Sequence, residues 1–392
     1  MKPERNEFSR LRGIEAAFPR PEFQRRQARA RQAVEQAGHD CLVVTEPENI
    51  FWLSGRQTAG YFAFQALILP VYGSPVLLVR ELELPGAAAN TWLEEIIGYW
   101  DGDDPVEKLA SLLAAIGCSR PAMELGSWFL SHATVGRIIE KLGRGKLADG
   151  SGLVGPLRLT KCGAELDAMR SAAHYAEVGI RAGIEACSAG NDENAVAAAM
   201  LFAATAAGSE AMAMEPLVSS GPRSGLPHMT WRRRRFAPGD PIFLEMAGSH
   251  HRYHAALMRT VWIGQPPAEA VRMMDCALRA LDAAIRAIVP GAPCSRPHEA
   301  AHAIIAEAGY ENAFRKRIGY SMGIAFAPDW GEGAILSLFS DISTVMEPGM
   351  VFHLPATLRS FGNWTVGASE TVIVTESGAE PLSGLPRSIT IR

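Results

Sequence analysis

Apolar and polar residues along the first 158 positions form short stretches that alternate between two periods. Apolar residues spaced three or four apart, the helical period, mark residues 21–38, 47–55 and 110–117. Runs of β-branched and other apolar residues mark four strands, at residues 40–45, 64–71, 75–79 and 121–125. This alternation of helices and strands predicts an α/β N-terminal domain over residues 1–158.

Longer periodic segments fill the second part of the chain. Helical spacing covers residues 164–188, 195–207, 267–288 and 296–309. Strand-like runs lie at residues 239–260 and near residues 351, 369 and 371–375. Helices grouped around antiparallel strands predict an α+β second domain over residues 159–392, and the segment LRLTKCG at 157–163 is interpreted as the hinge before it.

One predicted hairpin, GDPIFLEMAGSHHRYHAALMRT at residues 239–260, contains a candidate catalytic acid. We predict a first strand that ends near Glu245, a break at Ala247 and Gly248, and a second strand from Arg252. Two strands crossing at their middles would bring Glu245 close to Tyr253 and His254. An ionisable glutamate at the end of an apolar run is costly unless it has partners or a chemical task, and a buried ion pair is the alternative.

Composition narrows the class of protein. The formal net charge is −4 over 392 residues, so a nucleic-acid partner is not favoured, and no apolar run approaches the length of a membrane span. Six cysteines lie far apart without a C-x-x-C pair, which favours free thiols in a reducing compartment. The polar N-terminus has no signal-peptide core. We therefore expect a cytoplasmic enzyme or binding protein, with no nucleic-acid or membrane partner.

The hairpin and three later motifs resemble the creatinase/prolidase family, whose C-terminal half has the pita-bread fold. Gly239 and Asp240 open the family's G-D-x-x-x-x-D pattern, and Tyr253, Arg259 and Thr260 match the G-Y-x-S-D-x-T-R-T pattern that follows it. GYSMG at 319–323 resembles the family's G-H-x-I-G motif, GMVFHLP at 349–355 its G-M-V-F-x-x-E-P motif, and SET at 369–371 its E-D-T motif. The resemblance implies an α/β N-terminal domain followed by an α+β pita-bread catalytic domain.

The five positions at which dinuclear family members bind metal carry mostly residues without a suitable donor. By the resemblance they are Glu245, Ala256, Tyr320, Pro355 and Ser369, and a shift of one residue would place Glu370 at the last. One or two ligands of five cannot hold a pair of divalent ions. The resemblance therefore implies a site without metal or other cofactor.

Loss of metal is known in a branch of this family, and RYHA at 252–255, GYSMGIAFAPDWGE at 319–332, FHLP at 352–355 and ASET at 368–371 look most like its ectoine-hydrolase group. The resemblance implies a metal-independent hydrolase that cleaves a non-peptide C–N bond of a cyclic amidine. The first candidate substrate is ectoine, whose ring would open to N-acetyl-diaminobutyrate. The loop GRQTAGY at 55–61 departs from that group. A creatinase-like amidinohydrolase acting on a guanidino acid, a metal-dependent Xaa-Pro dipeptidase, a lyase and a binding protein are the alternatives. The family also implies a homodimer.

Hydrolysis of an amidine needs a nucleophile at the carbon between the nitrogens and a proton for the departing nitrogen. Glu245 is the candidate general base or covalent nucleophile, and His228, in the motif S-S-G-P-R-S-G-L-P-H, is the candidate proton shuttle. The other catalytic candidates are His254 and Glu370. A zwitterionic substrate would also need a carboxylate anchor, for which Arg56 and Arg223 are candidates. The predicted substrate-binding residues are His353, Tyr320, Tyr253, Arg56, Tyr61, Phe62 and Trp330.

Overall fold

The computed structural model describes residues 8–392, and the chain divides between Arg158 and Leu159 into two compact units. In the first unit a six-stranded mixed sheet has the order β4-β3-β2-β1-β5-β6. Its strands are β1 (Cys41–Val44), β2 (Ala66–Pro70), β3 (Val76–Arg80), β4 (Glu95–Tyr99), β5 (Pro121–Met123) and β6 (Ala148–Asp149). Its helices are α1 (Arg20–Gln36), α2 (Pro47–Ser54), α3 (Leu84–Asn90), α4 (Pro105–Ile116) and α5 (His132–Leu142).

The second unit packs four helices against two antiparallel-rich sheets. The helices are α6 (Gly163–Ala186), α7 (Glu193–Ala206), α8 (Ala268–Ala287) and α9 (Arg296–Glu307). The strands are β7 (Leu217–Ser220), β8 (Pro241–His250), β9 (Tyr253–Trp262), β10 (Gly319–Ser321), β11 (Ser337–Leu338), β12 (Val351–Ser360), β13 (Trp364–Thr375), β14 (Gly378–Pro381) and β15 (Thr390–Ile391). Short 3₁₀ turns lie at Gly221–Gly225 and Glu311–Ala313 in this unit, and at Ser9–Leu11, Glu81–Glu83 and Gly155–Arg158 in the first unit. The predicted fold class, α/β followed by α+β, is confirmed.

Two long hairpins form the centre of the second unit. One sheet has the order β15-β9-β8-β7 and the other the order β11-β10-β12-β13-β14. Side chains connect β9 to β13: the Thr371 hydroxyl donates to the Ala256 carbonyl at 2.9 Å, and the Thr260 hydroxyl donates to the Gly367 carbonyl at 2.8 Å. The two hairpins are thereby held side by side, which fixes the position of any residue on their inner faces.

The turn of the first hairpin lies further along the chain than the sequence predicts. His250 pairs with Tyr253, and the two residues between them, His251 and Arg252, have φ values of +47° and +63°. Positive φ at both central residues is what a two-residue type I′ turn requires. Gly248 lies inside β8, where a side chain would approach the Ala172 carbonyl oxygen of α6 to 2.2 Å.

The later turn separates three residues that we expected to lie together. Glu245 pairs with Met258 in the middle of the hairpin, whereas Tyr253 and His254 begin β9 beside the turn. His254 pairs with Ser249, four residues from Glu245, so the backbones of these residues are separated by roughly 13 Å along the strand. The expectation that Glu245 contacts Tyr253 and His254 is therefore wrong.

Within residues 8–392, no helix combines the length and the apolar content that crossing a bilayer requires.

Candidate active site

Glu245 is a buried carboxylate in the centre of β8. Its neighbours Leu244 and Met246 point to the opposite face and pack in the core against α6 and α7, so alternation turns Glu245 inward, away from those helices. The residue is 6% exposed, and burial and neighbouring charges act on its carboxylate without a hydrogen bond from a described residue. Burial raises the pKa of Glu245 to about 7 against the lowering influence of Lys316 and Arg359. A buried carboxylate without a hydrogen-bond partner is a candidate for chemistry.

Two cations face Glu245. Lys316 lies in the loop before β10, and its ammonium donates to the Thr357 hydroxyl at 2.7 Å. Burial lowers the pKa of Lys316 to about 7, Arg359 adds to this, and Glu245 opposes it. Burial also lowers the pKa of Arg359, and again the Glu245 carboxylate opposes the shift. Glu245, Lys316 and Arg359 therefore form one electrostatic cluster of one carboxylate and two basic side chains.

The inner face of β12 carries most of the remaining polar groups of the site. Residues two apart on a strand share a face, and four of them form one row. They are His353, Pro355, Thr357 and Arg359. On the neighbouring strand β13, Ser369 pairs directly with Pro355 and therefore continues the same face. The row places His353 and Ser369 on the face that also carries Lys316 and Arg359.

A chain of hydrogen bonds connects four of the site's side chains. The Trp330 indole donates to the Tyr320 hydroxyl at 3.1 Å, and that hydroxyl lies 2.8 Å from His353 Nδ1. His353 Nε2 in turn lies 2.7 Å from the Ser369 hydroxyl. Burial lowers the pKa of His353 to about 3, with a further contribution from Lys316, and burial raises the pKa of the Tyr320 phenol. Both groups are therefore neutral near pH 7 and act as hydrogen-bonding groups there.

His228 lies on an exposed loop but within electrostatic reach of the cluster. It has φ of +56°, and its pKa is lowered by burial of part of the ring and by Arg359 and Lys316, while Asp329 opposes the shift. A histidine with a lowered pKa is mostly neutral at pH 7 and can accept a proton. His228 is thus close enough to Arg359 and Lys316 for their charges to lower its pKa.

Glu370 lies on the other face of β13. It pairs with Leu354, a core residue, and its carboxylate accepts hydrogen bonds from Arg259 at 2.9 Å and from Arg387 at 3.1 Å. Ser369, and not Glu370, shares the face of Pro355, which favours Ser369 as the residue at the last of the family's ligand positions. Burial raises the pKa of Glu370, and its two arginines oppose this. The predicted catalytic use of Glu370 conflicts with this placement, because alternation directs its side chain away from the Ser369 face.

His254 and Tyr253 are both held by structural contacts near the hairpin turn. His254 Nδ1 lies 2.8 Å from the Arg252 carbonyl, and its Nε2 accepts from the Ala213 backbone N–H at 3.0 Å. Burial lowers the pKa of His254 to about 4, so the ring stays neutral. The Tyr253 hydroxyl donates to Glu165 at 2.6 Å. Both ring nitrogens of His254 are occupied, so it bridges two backbone segments instead of facing Glu245.

The candidate anchors Arg56 and Arg223 each have a carboxylate already. Arg56, in the first unit, is buried and forms an ion pair with Glu83. Arg223 contacts both oxygens of Glu193, at 2.7 and 2.6 Å. Neither arginine is therefore available as a carboxylate anchor in this arrangement.

Two predicted aromatic contacts also belong to the first unit. The Tyr61 ring packs edge-on against Phe129, with ring centroids 5.6 Å apart, and Phe62 is 81% exposed. Their use in substrate binding stays a prediction.

The residues at the family's metal positions do not fit a pair of divalent ions. Ala256 and Pro355 have no donor atom in their side chains, and the Tyr320 and Ser369 hydroxyls are engaged with His353. Within residues 8–392, no group of three His, Cys, Asp or Glu ligand atoms includes Glu245. Without a bound anion to offset their charge, Lys316 and Arg359 would also repel a divalent ion placed beside Glu245.

Sequence reasoning missed Lys316, Thr357 and Arg359. Alternation along 351–360 would have put Thr357 and Arg359 on the His353 face, so a signal for these two existed. Lys316 lies in the charged loop segment RKR at 315–317, and only the tertiary contact with Thr357 distinguishes it from its neighbours.

Comparison with known proteins places this chain in a family. Residues 167–376 match the metallopeptidase family M24, and residues 26–160 match the creatinase/prolidase N-terminal domain. The chain is 28% identical over 400 residues to an ectoine hydrolase from Halomonas elongata, and the match covers 97% of this chain and 99% of that protein. The resemblance inferred from the motifs is therefore confirmed.

Solved structures agree with the fold. Dipeptidase PepE from Mycobacterium ulcerans matches with a TM-score of 0.81 and 26% identity, covering 96% of this chain and 99% of that one. A prolidase from Thermococcus sibiricus matches with a TM-score of 0.84 over 94% of this chain and 99% of that one. Its identity of 20% shows the shared fold alone.

Proposed function

This chain belongs to metallopeptidase family M24 and carries a creatinase/prolidase N-terminal domain, and we propose that it is a hydrolase that opens a cyclic amidine without a metal ion. The observation that carries the proposal is Glu245: a buried carboxylate without a hydrogen-bond partner among the described residues, with a pKa of about 7, where metal ligands are missing. Similarity over almost the whole chain to an ectoine hydrolase and to dipeptidases supports hydrolysis as the reaction class. Ectoine is the substrate we propose first.

The reaction assigned to Glu245 is addition of water to the amidine carbon. As a general base, ionised Glu245 takes a proton from water while the water oxygen bonds to the carbon and the C=N π electrons move to nitrogen. The tetrahedral intermediate then breaks one C–N bond, and the departing nitrogen takes a proton. As a nucleophile, Glu245 would bond to the carbon itself, and water would hydrolyse the resulting intermediate. Both routes consume one water and leave an amide and an amine.

His228 is the proposed proton shuttle for the departing nitrogen. Its lowered pKa keeps it neutral enough to accept the proton from Glu245 or water and to donate it again. Because its side chain is exposed, it can exchange the proton with solvent between turnovers. The neutral chain of Trp330, Tyr320 and His353 supplies polar contacts that do not compete with Glu245 for charge.

The decisive experiment offers several substrates to protein that has been freed of metal. Chelator-treated protein is incubated with ectoine, 5-hydroxyectoine, creatine and an Xaa-Pro dipeptide, and the products are identified by mass. We expect ring opening of ectoine with the gain of one water, and loss of that product in Glu245→Gln. Urea from creatine would favour the guanidino alternative. Dipeptide cleavage that returns only with added divalent metal would instead favour the peptidase alternative and reject the proposal.

A further inference from the structure

We propose that Lys316 and Arg359 form an anion-binding subsite that holds a carboxylate of the substrate and makes the enzyme selective for amidines derived from amino acids. This inference rests on the proposed function and deepens it, because it adds a second recognised group to the reacting amidine.

The geometry of β12 brings the two cations to one place. Thr357 and Arg359 share the inner face of the strand, so their Cα atoms lie about 7 Å apart. The Thr357 hydroxyl holds the Lys316 ammonium at 2.7 Å. The positive charge of Arg359 also helps to lower the pKa of Lys316, as expected for two basic groups in one partly buried volume. Two like charges are held together here without a carboxylate in hydrogen-bond contact among residues 8–392.

Arg359 is half-buried, and its partners differ from those of three other arginines. Arg56, Arg223 and Arg259 each contact a carboxylate. The Arg359 Nε is buried and has no hydrogen-bond partner among the described residues. A buried donor left unpaired costs free energy, more when it is charged, and an incoming acceptor would recover it. A guanidinium is also the side chain whose fork best matches a carboxylate.

Charge balance favours a zwitterion over a simple cation or a simple anion. Among residues 8–392, Glu245 is the acid that opposes the pKa shifts of both Lys316 and Arg359, so the cluster carries one net positive charge when all three groups are ionised. A carboxylate placed on the two cations offsets that excess. The positive amidine of the same molecule then faces Glu245, so a compact substrate with both charges satisfies both halves of the site.

The test compares two amidines that differ by one carboxylate. Ectoine and 2-methyl-1,4,5,6-tetrahydropyrimidine, which is the same ring without the carboxylate, are assayed with wild type, Arg359→Met, Arg359→Lys and Lys316→Met. We expect wild type to prefer ectoine in kcat/KM by about 10- to 100-fold, the factor that a charge-assisted contact is worth. In Arg359→Met that preference should collapse toward one, mainly through the KM for ectoine, and Arg359→Lys should keep part of it.

Arg315→Met is the matched control. Arg315 is exposed in the same loop as Lys316 and contacts the Asn312 carbonyl and the Phe361 ring, so its removal takes away a nearby charge without touching the proposed subsite. It should keep the preference for ectoine. Equal losses on both amidines in Arg359→Met would indicate a structural role and overturn the inference, as would an unchanged preference.

A binding measurement separates failure of the inference from failure of the proposed function. L-Proline and pyrrolidine, a cyclic ammonium pair with and without a carboxylate, are titrated calorimetrically into wild type and Arg359→Met. Binding of L-proline alone, lost in the variant, supports the subsite even if no amidine is hydrolysed. Amidine hydrolysis with no discrimination between proline and pyrrolidine would leave the proposed function standing and reject the subsite.

Discussion

Replacing Glu245 by glutamine should abolish turnover and make the protein more stable at alkaline pH. Glutamine keeps the shape of the protonated side chain but cannot ionise, so it removes both the reactive carboxylate and the cost of burying its charge. Residues that serve chemistry at the expense of stability are expected to behave in this way.

The size of the effect follows from the pKa of Glu245, which burial raises from its ordinary value of 4.5 to about 7. Between these values the folded protein holds a proton that the unfolded chain has lost, so the free energy of unfolding falls as pH rises. At 1.36 kcal/mol for each pH unit, the full cost above pH 7 is about 3 kcal/mol. Glu245→Gln should recover about that amount at pH 8 and almost nothing below pH 4.5.

The assay is thermal unfolding of wild type and Glu245→Gln between pH 4.5 and pH 8.5. For a unit of this size a gain of about 3 kcal/mol corresponds to a rise in Tm of roughly 6–12 °C at pH 8. Glu376→Gln is the control, because Glu376 is exposed in the same unit and its replacement should leave the pH dependence of Tm unchanged.

Two results would refute the reasoning. A Tm difference between Glu245→Gln and wild type that does not change with pH would show that Glu245 does not carry a raised pKa. A variant that is less stable than wild type at pH 8 would show that the Glu245 charge is stabilised by its surroundings, and the site would then be a structural ion cluster.

Three further predictions address the rest of the site. The kcat/KM for ectoine should rise with pH as Glu245 ionises and fall as Lys316 loses its proton, both near pH 7. Lys316→Met should remove the alkaline fall. A pH profile that keeps the same fall in that variant would contradict the assignment. His254→Ala should lower the free energy of unfolding by about 2–3 kcal/mol, because it leaves the Ala213 N–H without its buried acceptor. The pH profile of the remaining activity should not change. A shifted pH profile would instead indicate that His254 takes part in catalysis. Arg259→Met should lower the free energy of unfolding, measured with a chemical denaturant, by about 3–5 kcal/mol, because Glu370 then loses one of its two arginines. A loss of activity without a loss of stability would instead support a catalytic use of Glu370.

The order and type of the main elements could be predicted from periodicity, because the long helices and the long hairpins bury one face over many residues. The turn of the central hairpin could not. Propensity predicts a break at Gly248, but this residue lies within a strand because α6 approaches its backbone. The turn instead uses His251 and Arg252, which propensities do not mark. That error moved Tyr253 and His254 toward Glu245 in the prediction.

The candidate acid could be predicted, but its surroundings could not. The sequence marks Glu245 as an ionisable residue at the end of an apolar run, and the structure places it in a buried cluster. Lys316 reaches that cluster from a loop through one hydrogen bond to Thr357, and no local pattern records such a contact. Motif alignment alone makes Glu370 a candidate, because it does not reveal which face of β13 a residue occupies. The pairing of Ser369 with Pro355 shows that Ser369, and not Glu370, lies on the face of the site.

The most direct test of the central claim measures kcat/KM for ectoine in protein whose metal content has been reduced to a negligible amount, before and after addition of Mn²⁺ or Zn²⁺. If Glu245 hydrolyses the amidine without a metal, the metal-free protein should be fully active and added ions should not increase its rate. Activity that disappears with the metal and returns in proportion to bound ion would contradict the account.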